Sequence, residues 1–165
     1  MFILPSVSLI RKTLRLIKVY PGFNKPVVEN LGKKIQSMGK NGDISCLGFD
    51  EISLSKHFDQ DGVEISGYEH FGHLGTTSQP ADHALVFMVR GITGNWKQPI
   101  GYFLSSGPVG HDRLHKLLLD CLDMLFSVGI NVKAIVCDQG SNNQSVVFSH
   151  LKLTEEKPFL NIMDI

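Results

Sequence analysis

Apolar positions fall along this chain in blocks whose spacing changes from helical to strand-like and back. Val7, Ile10, Leu14 and Ile17 recur at three- and four-residue steps, which predicts a helix over 6–19 with Arg11, Arg15 and Lys18 on another face. Pro21-Gly22 ends it. Val28, Leu31, Ile35 and Met38 predict a second helix over 27–38, followed by a turn at Gly39-Lys40-Asn41-Gly42. Ile44 to Asp50 is almost entirely apolar, the pattern of a strand buried on both faces. A short strand is expected over 63–69, after the turn at Asp59-Gln60-Asp61-Gly62, and a polar loop from Gly72 to Asp82.

Residues 84–92 then form a long apolar strand, Gly94-Asn95 turns the chain, and 99–105 returns as its hairpin partner. Pro99 lacks a ladder donor, so its end of that strand is expected at an edge. Leu114, Leu117, Leu118, Cys121, Leu122, Leu125 and Phe126 make a wide stripe on a helix over 111–128, ended by Gly129. Val132 to Asp138 is the next strand; reached through a helix, it is expected to run parallel to one already laid down. Ser141 is placed to N-cap a helix over 142–151, and after Leu151 the pattern lapses into a tail. The predicted organisation is a helical segment over 1–40, one α/β unit over 41–153 and an irregular tail over 154–165.

Composition adds bounds. The chain has 165 residues, 42% of them hydrophobic, enough for one globular core. Sixteen basic and sixteen acidic side chains cancel, whereas autonomous nucleic-acid-binding domains are usually basic. The charge is uneven: no acid precedes Glu29, while Arg11, Lys12, Arg15, Lys18 and Lys25 all do. That basic face reads as a solvated surface or as a DNA contact; an acid-free, Arg-containing amphipathic start also fits a mitochondrial presequence. Cys46, Cys121 and Cys137 are three cysteines without CxxC spacing, as expected in a reducing compartment. No apolar run approaches membrane-spanning length, so no membrane span is expected.

The candidate chemistry lies where the apolar runs end. Gly48-Phe49-Asp50-Glu51 closes one and Cys137-Asp138-Gln139-Gly140-Ser141-Asn142-Asn143 another. If those strands are adjacent and parallel, Asp50 and Asp138 meet; two carboxylates about 5 Å apart repel by roughly 3 kcal/mol at an effective dielectric of 20. Such a pair suits a divalent cation with a preference for hard oxygen ligands, Mg2+ or Mn2+. The plain alternatives are a strand-end aspartate entering a turn for Asp50, and a helix-capping carboxylate for Asp138. Glu51 points to the opposite face from Asp50 and is expected to be structural. His111 and His115 share a helical face, and His70 and His73 a loop, but no third metal ligand accompanies either pair. Trp96, beside Lys97 at the hairpin tip, reads as a packed turn residue or a platform for a base. No P-loop pattern occurs, so no nucleotide site is evident.

Three stretches also carry a resemblance: Phe49-Asp50-Glu51-Ile52-Ser53-Leu54, Ala84 to Ser105 (ALVFMVRGITGNWKQPIGYFLS) and Cys137 to Asn143 (CDQGSNN). In that order they resemble the RNase H-like domain of P-element-type transposases, a family that includes domesticated transposases carrying a THAP zinc finger. The likeness runs from about Leu4 to about Leu160. It implies an RNase H-like mixed sheet flanked by helices, with an N-terminal helical extension, here stopping before the last strand and helices. It also implies Asp50 and Asp138 as catalytic metal ligands, Mg2+ or Mn2+ as cofactor, DNA (transposon ends) as partner, and a nuclear or else cytoplasmic location.

The family needs a third carboxylate from a later helix, beyond a guanine-nucleotide-binding insertion. Glu155, Glu156 and Asp164 are the acids left here, and they read as solvated tail charges. The expectation is therefore a partial transposase domain, inactive alone. The alternative is a non-catalytic regulatory module that self-associates or pairs with a full-length transposase. A small doubly wound nucleotide-binding protein, with Gly140-Ser141 opening a phosphate-binding helix, fits less well, because an antiparallel hairpin over 84–105 does not belong in such a sheet.

Overall fold

A computed structural model describes residues 6–14, 19–39, 42–54 and 67–150. Its elements are α1 (Val7–Leu14), β1 (Gly22–Phe23), α2 (Lys25–Gln36), β2 (Ile44–Ser53), β3 (Tyr68–His70), a 3-10 turn (Gly72–Leu74), β4 (Thr76–Pro80), β5 (His83–Gly91), β6 (Lys97–Ser105), α3 (His111–Ser127), β7 (Asn131–Val136) and α4 (Ser141–Ser145), which runs into one π-helical turn (Val146–His150). The strands form one mixed sheet in the order β4-β3-β6-β5-β2-β7, with β1 added to β6. Every pairing is antiparallel except that of β2 with β7, the one reached through the α3 crossover.

One face of the sheet carries the core. Leu47 and Phe49 of β2, Leu85, Phe87 and Val89 of β5, and Ile100 and Phe103 of β6 are all buried in a single cluster. The same cluster takes the α3 stripe Leu114, Leu117, Leu118, Cys121, Leu122 and Leu125, and Val28, Leu31 and Ile35 of α2. Phe23 meets Phe87 and Phe103 edge-on, at ring-centre distances of 5.4 and 4.9 Å. Local signals set the helix ends. The Asn24 side chain accepts from Val27 N–H, with Pro26 in the first turn of α2. Gly129, at φ 81°, takes the left-handed turn after α3.

The strand–hairpin–helix–strand–helix order matches expectation; several particulars differ. The expected polar loop 72–82 instead contains β4, paired with β3. Thr76 to Gln79 are all exposed, so backbone pairing holds this strand while its side chains show no alternation. β1 was not expected; it extends the sheet beside Gly101 and Tyr102, just after Pro21. The strand expected over 63–69 is represented by Tyr68–His70, and its earlier residues lie outside the described ones. β2 is buried on one face only: Ser45, Leu47 and Phe49 are enclosed, whereas Cys46 and Gly48 are half-buried and Asp50 is exposed. Among the described residues no helix covers that second face. The first helix is described only to Leu14, and its apolar Val7 and Ile10 are exposed, at 64% and 43%. Pro99 does mark an edge: past the β1 and β3 pairings, that end of β6 bonds to β5 alone.

Candidate metal-binding carboxylate pair

β2 and β7 carry the two aspartates, and their register decides whether the two can meet. Cys46 pairs with Ala134, Leu47 with Ile135 and Gly48 with Val136 across the parallel ladder. Two residues further along each chain come Asp50 and Asp138, so both leave adjacent strands at the same end of the sheet. Asp50 is still within β2, opposite Val86 of β5; Asp138 lies just past the end of β7, in the turn before α4. Both are exposed. The strand expected to reach Asp138 stops at Val136, which leaves Asp138 free to follow turn geometry rather than the pleat.

Each carboxylate uses one oxygen locally. Asp50 Oδ1 accepts from Glu51 N–H at 2.8 Å. Asp138 Oδ1 accepts from Gly140 N–H at 2.9 Å and from Asn143 Nδ2 at 2.5 Å. Among the described residues these hydrogen bonds all fall on Oδ1, and none falls on Oδ2 of either carboxylate. Gly140, rather than Ser141, is the N-cap of α4, and it makes no side-chain cap bond. Asp138 supplies the local acceptor in its place, as the plain capping reading anticipated in part. Val146, fully buried, fastens the far end of this short helical segment into the core. Burial first, and then the Asp138 charge, push the Cys137 thiol above its ordinary value.

Glu51 faces away from Asp50, as the strand period requires, and its Oε1 accepts from Val109 N–H at 2.7 Å. The Val109 carbonyl accepts from Asn142 Nδ2 at 2.9 Å. Ser106 N–H donates to Glu69 Oε1 at 2.9 Å and Gly107 N–H to Asp82 Oδ1 at 2.6 Å. With Pro108 lacking an N–H, every backbone donor from Ser106 to Val109 ends on a carboxylate. Sequence reasoning missed Glu69, Asp82, Asn142 and Asn143. The CDQGSNN cluster signals a cap, but no capping rule links Asn143 back to Asp138.

The other candidates separate. Trp96 is 9% exposed and lies against Gly91, where a Cβ would stand 2.4 Å from the indole nitrogen, so it is a packed turn residue. His70 Nδ1 accepts from Gly72 N–H, while His73 pairs with Asp120 at 3.0 Å. His111 lies 3.5 Å from the Asp112 carboxylate. No group of three or more His, Cys, Asp or Glu side chains converges among the described residues, and Glu155, Glu156 and Asp164 fall outside them. A cleft of about 530 Å³ beside the start of α3 is lined by Leu74, Gly110, His111, Asp112, Arg113 and Lys116, and includes neither aspartate.

Comparison with known proteins agrees with this architecture. A family model described as the TNP-like, RNase H N-terminal domain matches residues 19–151. The chain is 26% identical over 140 residues to the DNA transposase THAP9 of Homo sapiens, covering 82% of this chain and 15% of that protein. It is 29% identical over 118 residues to the transposable element P transposase of Drosophila melanogaster, covering 72% of this chain and 14% of that one. A solved structure, the Drosophila P element transposase strand transfer complex, superposes with a TM-score of 0.64 at 26% identity, over 93% of this chain and 31% of that chain.

Proposed function

Because the chain belongs to the TNP-like, RNase H N-terminal domain family, we propose that Asp50 and Asp138 are two carboxylate ligands of a divalent-cation site for DNA phosphodiester chemistry. The observation that carries this reading is the parallel β2–β7 register, with Gly48 opposite Val136 two residues before each aspartate. The donor set suits Mg2+ or Mn2+, because both ligands are hard carboxylate oxygens and each keeps Oδ2 for the ion. When bound, the cation supplies Lewis-acid polarisation of a phosphoryl oxygen and neutralises developing charge. In this reading the two carboxylates, exposed at the same end of adjacent strands, would stand where a DNA phosphate has access. The relative solved as a strand transfer complex supports DNA as the substrate class and strand transfer as the reaction class. Work on DNA would place the protein in the nucleus.

The chain spans about a seventh of the length of the two transposases and under a third of the solved one. Two-metal catalysis needs more ligands than this pair. The reading is therefore that the chain by itself binds the cation weakly and does not cleave or join DNA. The test is Mn2+ titration of the purified protein followed by electron paramagnetic resonance, with DNA nicking assayed in parallel. Saturable Mn2+ binding that weakens at least several-fold in both Asp50→Asn and Asp138→Asn supports the site. Binding indifferent to both substitutions refutes it. Mg2+-dependent nicking abolished by Asp138→Ala would overturn the inactive reading.

A second reading, a non-catalytic module that pairs with a longer transposase or with another copy of itself, is favoured by the open edge of β7. Among the described residues that strand bonds to β2 alone. Co-sedimentation with a full-length relative, unchanged by Asp50→Asn, would support it.

A further inference from the structure

Two strands set the separation of Asp50 and Asp138, and strand ends alone are a loose fixture for a cation site. The structure places a connection between them. Glu51, the residue next to Asp50, accepts the Val109 N–H at 2.7 Å on the far side of β2. Asn142 donates to the Val109 carbonyl at 2.9 Å. Its neighbour Asn143 donates to Asp138 Oδ1 at 2.5 Å, beside the Gly140 N–H. Val109 is 2% exposed, so both of its backbone bonds are shielded from competing water. The segment is itself held, because Glu69 and Asp82 take the N–H groups of Ser106 and Gly107.

We infer that Glu51, Asn142 and Asn143 are positioning residues, forming with Val109 a hydrogen-bonded brace that fixes Asp138 relative to Asp50. The inference rests on the reading of those aspartates as a cation pair. Asn143 has a particular part: by occupying Oδ1 it aims Oδ2 of Asp138 outward. Glu51 acts as an acceptor and not as a ligand, since it points away from Asp50 into the loop before α3. Outer partners of this kind typically change metal affinity by roughly 10–100-fold when removed.

The experiment is Mn2+ affinity by electron paramagnetic resonance on the full 165-residue chain, with amide hydrogen exchange at Val109 in the metal-free protein. Circular dichroism confirms that each variant is folded. Glu51→Ala, Asn142→Ala and Asn143→Ala are each expected to weaken Mn2+ binding by about tenfold. Glu51→Gln, which keeps an acceptor oxygen for Val109, is expected to stay within about twofold of the wild type, as a positioning role requires. Val109 exchange should quicken in Glu51→Ala and Asn142→Ala but not in Asn143→Ala.

If Mn2+ binding depends on Asp138 while the three alanine variants bind like the wild type, the brace is refuted and the cation reading stands. If the wild type shows no Asp138-dependent binding, the cation reading fails and the positioning role fails with it. A large loss in Glu51→Gln would make Glu51 a source of charge at the site and overturn its assignment as an acceptor. Should Glu51→Ala fail to fold, Asn143→Ala and Glu51→Gln decide the matter.

Discussion

Phe87 is the centre of the apolar face. It is fully buried on β5, and its ring lies 5.4 Å from Phe23, 5.6 Å from Phe49 and 5.9 Å from Phe103. Phe87→Ala would remove all three ring contacts and leave a void that the flanking strands, each paired along its length, cannot collapse to fill. Buried Phe→Ala changes cost about 3–5 kcal/mol, and aromatic pairs add roughly 0.5–1.5 kcal/mol each beyond their buried area. Since Phe87 takes part in three such pairs, the expected loss lies near the upper end, at about 4–5 kcal/mol. Against a total stability of roughly 5–15 kcal/mol, that is enough to unfold a marginal domain. Phe87→Leu, which keeps most of the volume, should cost less than half as much and stay folded.

Urea denaturation measures the difference, and Trp96 serves as the probe: it is the sole tryptophan, buried where the β5–β6 hairpin turns. Ile52→Ala on β2, where the side chain is 55% exposed, is the control and should shift stability by no more than about 0.5 kcal/mol. A Phe87→Ala loss below about 1.5 kcal/mol, with an unchanged denaturant slope, would refute the claim that this cluster is the core.

Other outcomes follow from single contacts. Burial, and secondarily Asp120, raise the Cys121 thiol well above its ordinary 9.0. Its folded value exceeds its unfolded one, so its contribution is fully present below pH 9 and is lost as pH rises further; one such thiol accounts for about 1.4 kcal/mol per pH unit there. Urea titrations at pH 8 and 10 should show that fall, and Cys121→Ala should flatten it. In Gly32→Ala the new Cβ would stand 2.8 Å from the Val128 carbonyl oxygen and 2.9 Å from the Val128 Cβ, where α2 crosses the end of α3. The clash should outweigh the helix-propensity gain of about 1 kcal/mol and lower the melting temperature; a rise would show that the two helices can part freely. The β7 edge, which among the described residues pairs with β2 alone and has Val136 57% exposed, should drive concentration-dependent association in analytical ultracentrifugation. Val136→Lys should reduce it, and a wild-type monomer at high concentration would contradict the argument.

Much of the architecture was legible in the chain because side-chain burial writes itself into periodicity. The α3 stripe and the apolar runs of β2, β5 and β6 show it, and so does the closing aspartate of each run. β4 left no such mark: Thr76 to Gln79 are exposed on both faces, and the backbone bonds that hold them to β3 belong to no side-chain pattern. The amphipathic residues of α1 wrote a pattern without a packed counterpart among the described residues. At the candidate site the sequence by itself determined which residues stand at strand ends and that Glu51 must turn away from Asp50. Only the tertiary structure decided that β7 pairs with β2 and in which register, that Val109 lies under Glu51 from 58 positions away, and that Asn142 and Asn143 close the connection to Asp138. Periodicity reports which face of an element is buried. It says nothing of which element lies opposite, because that choice rests on contacts between residues far apart along the chain.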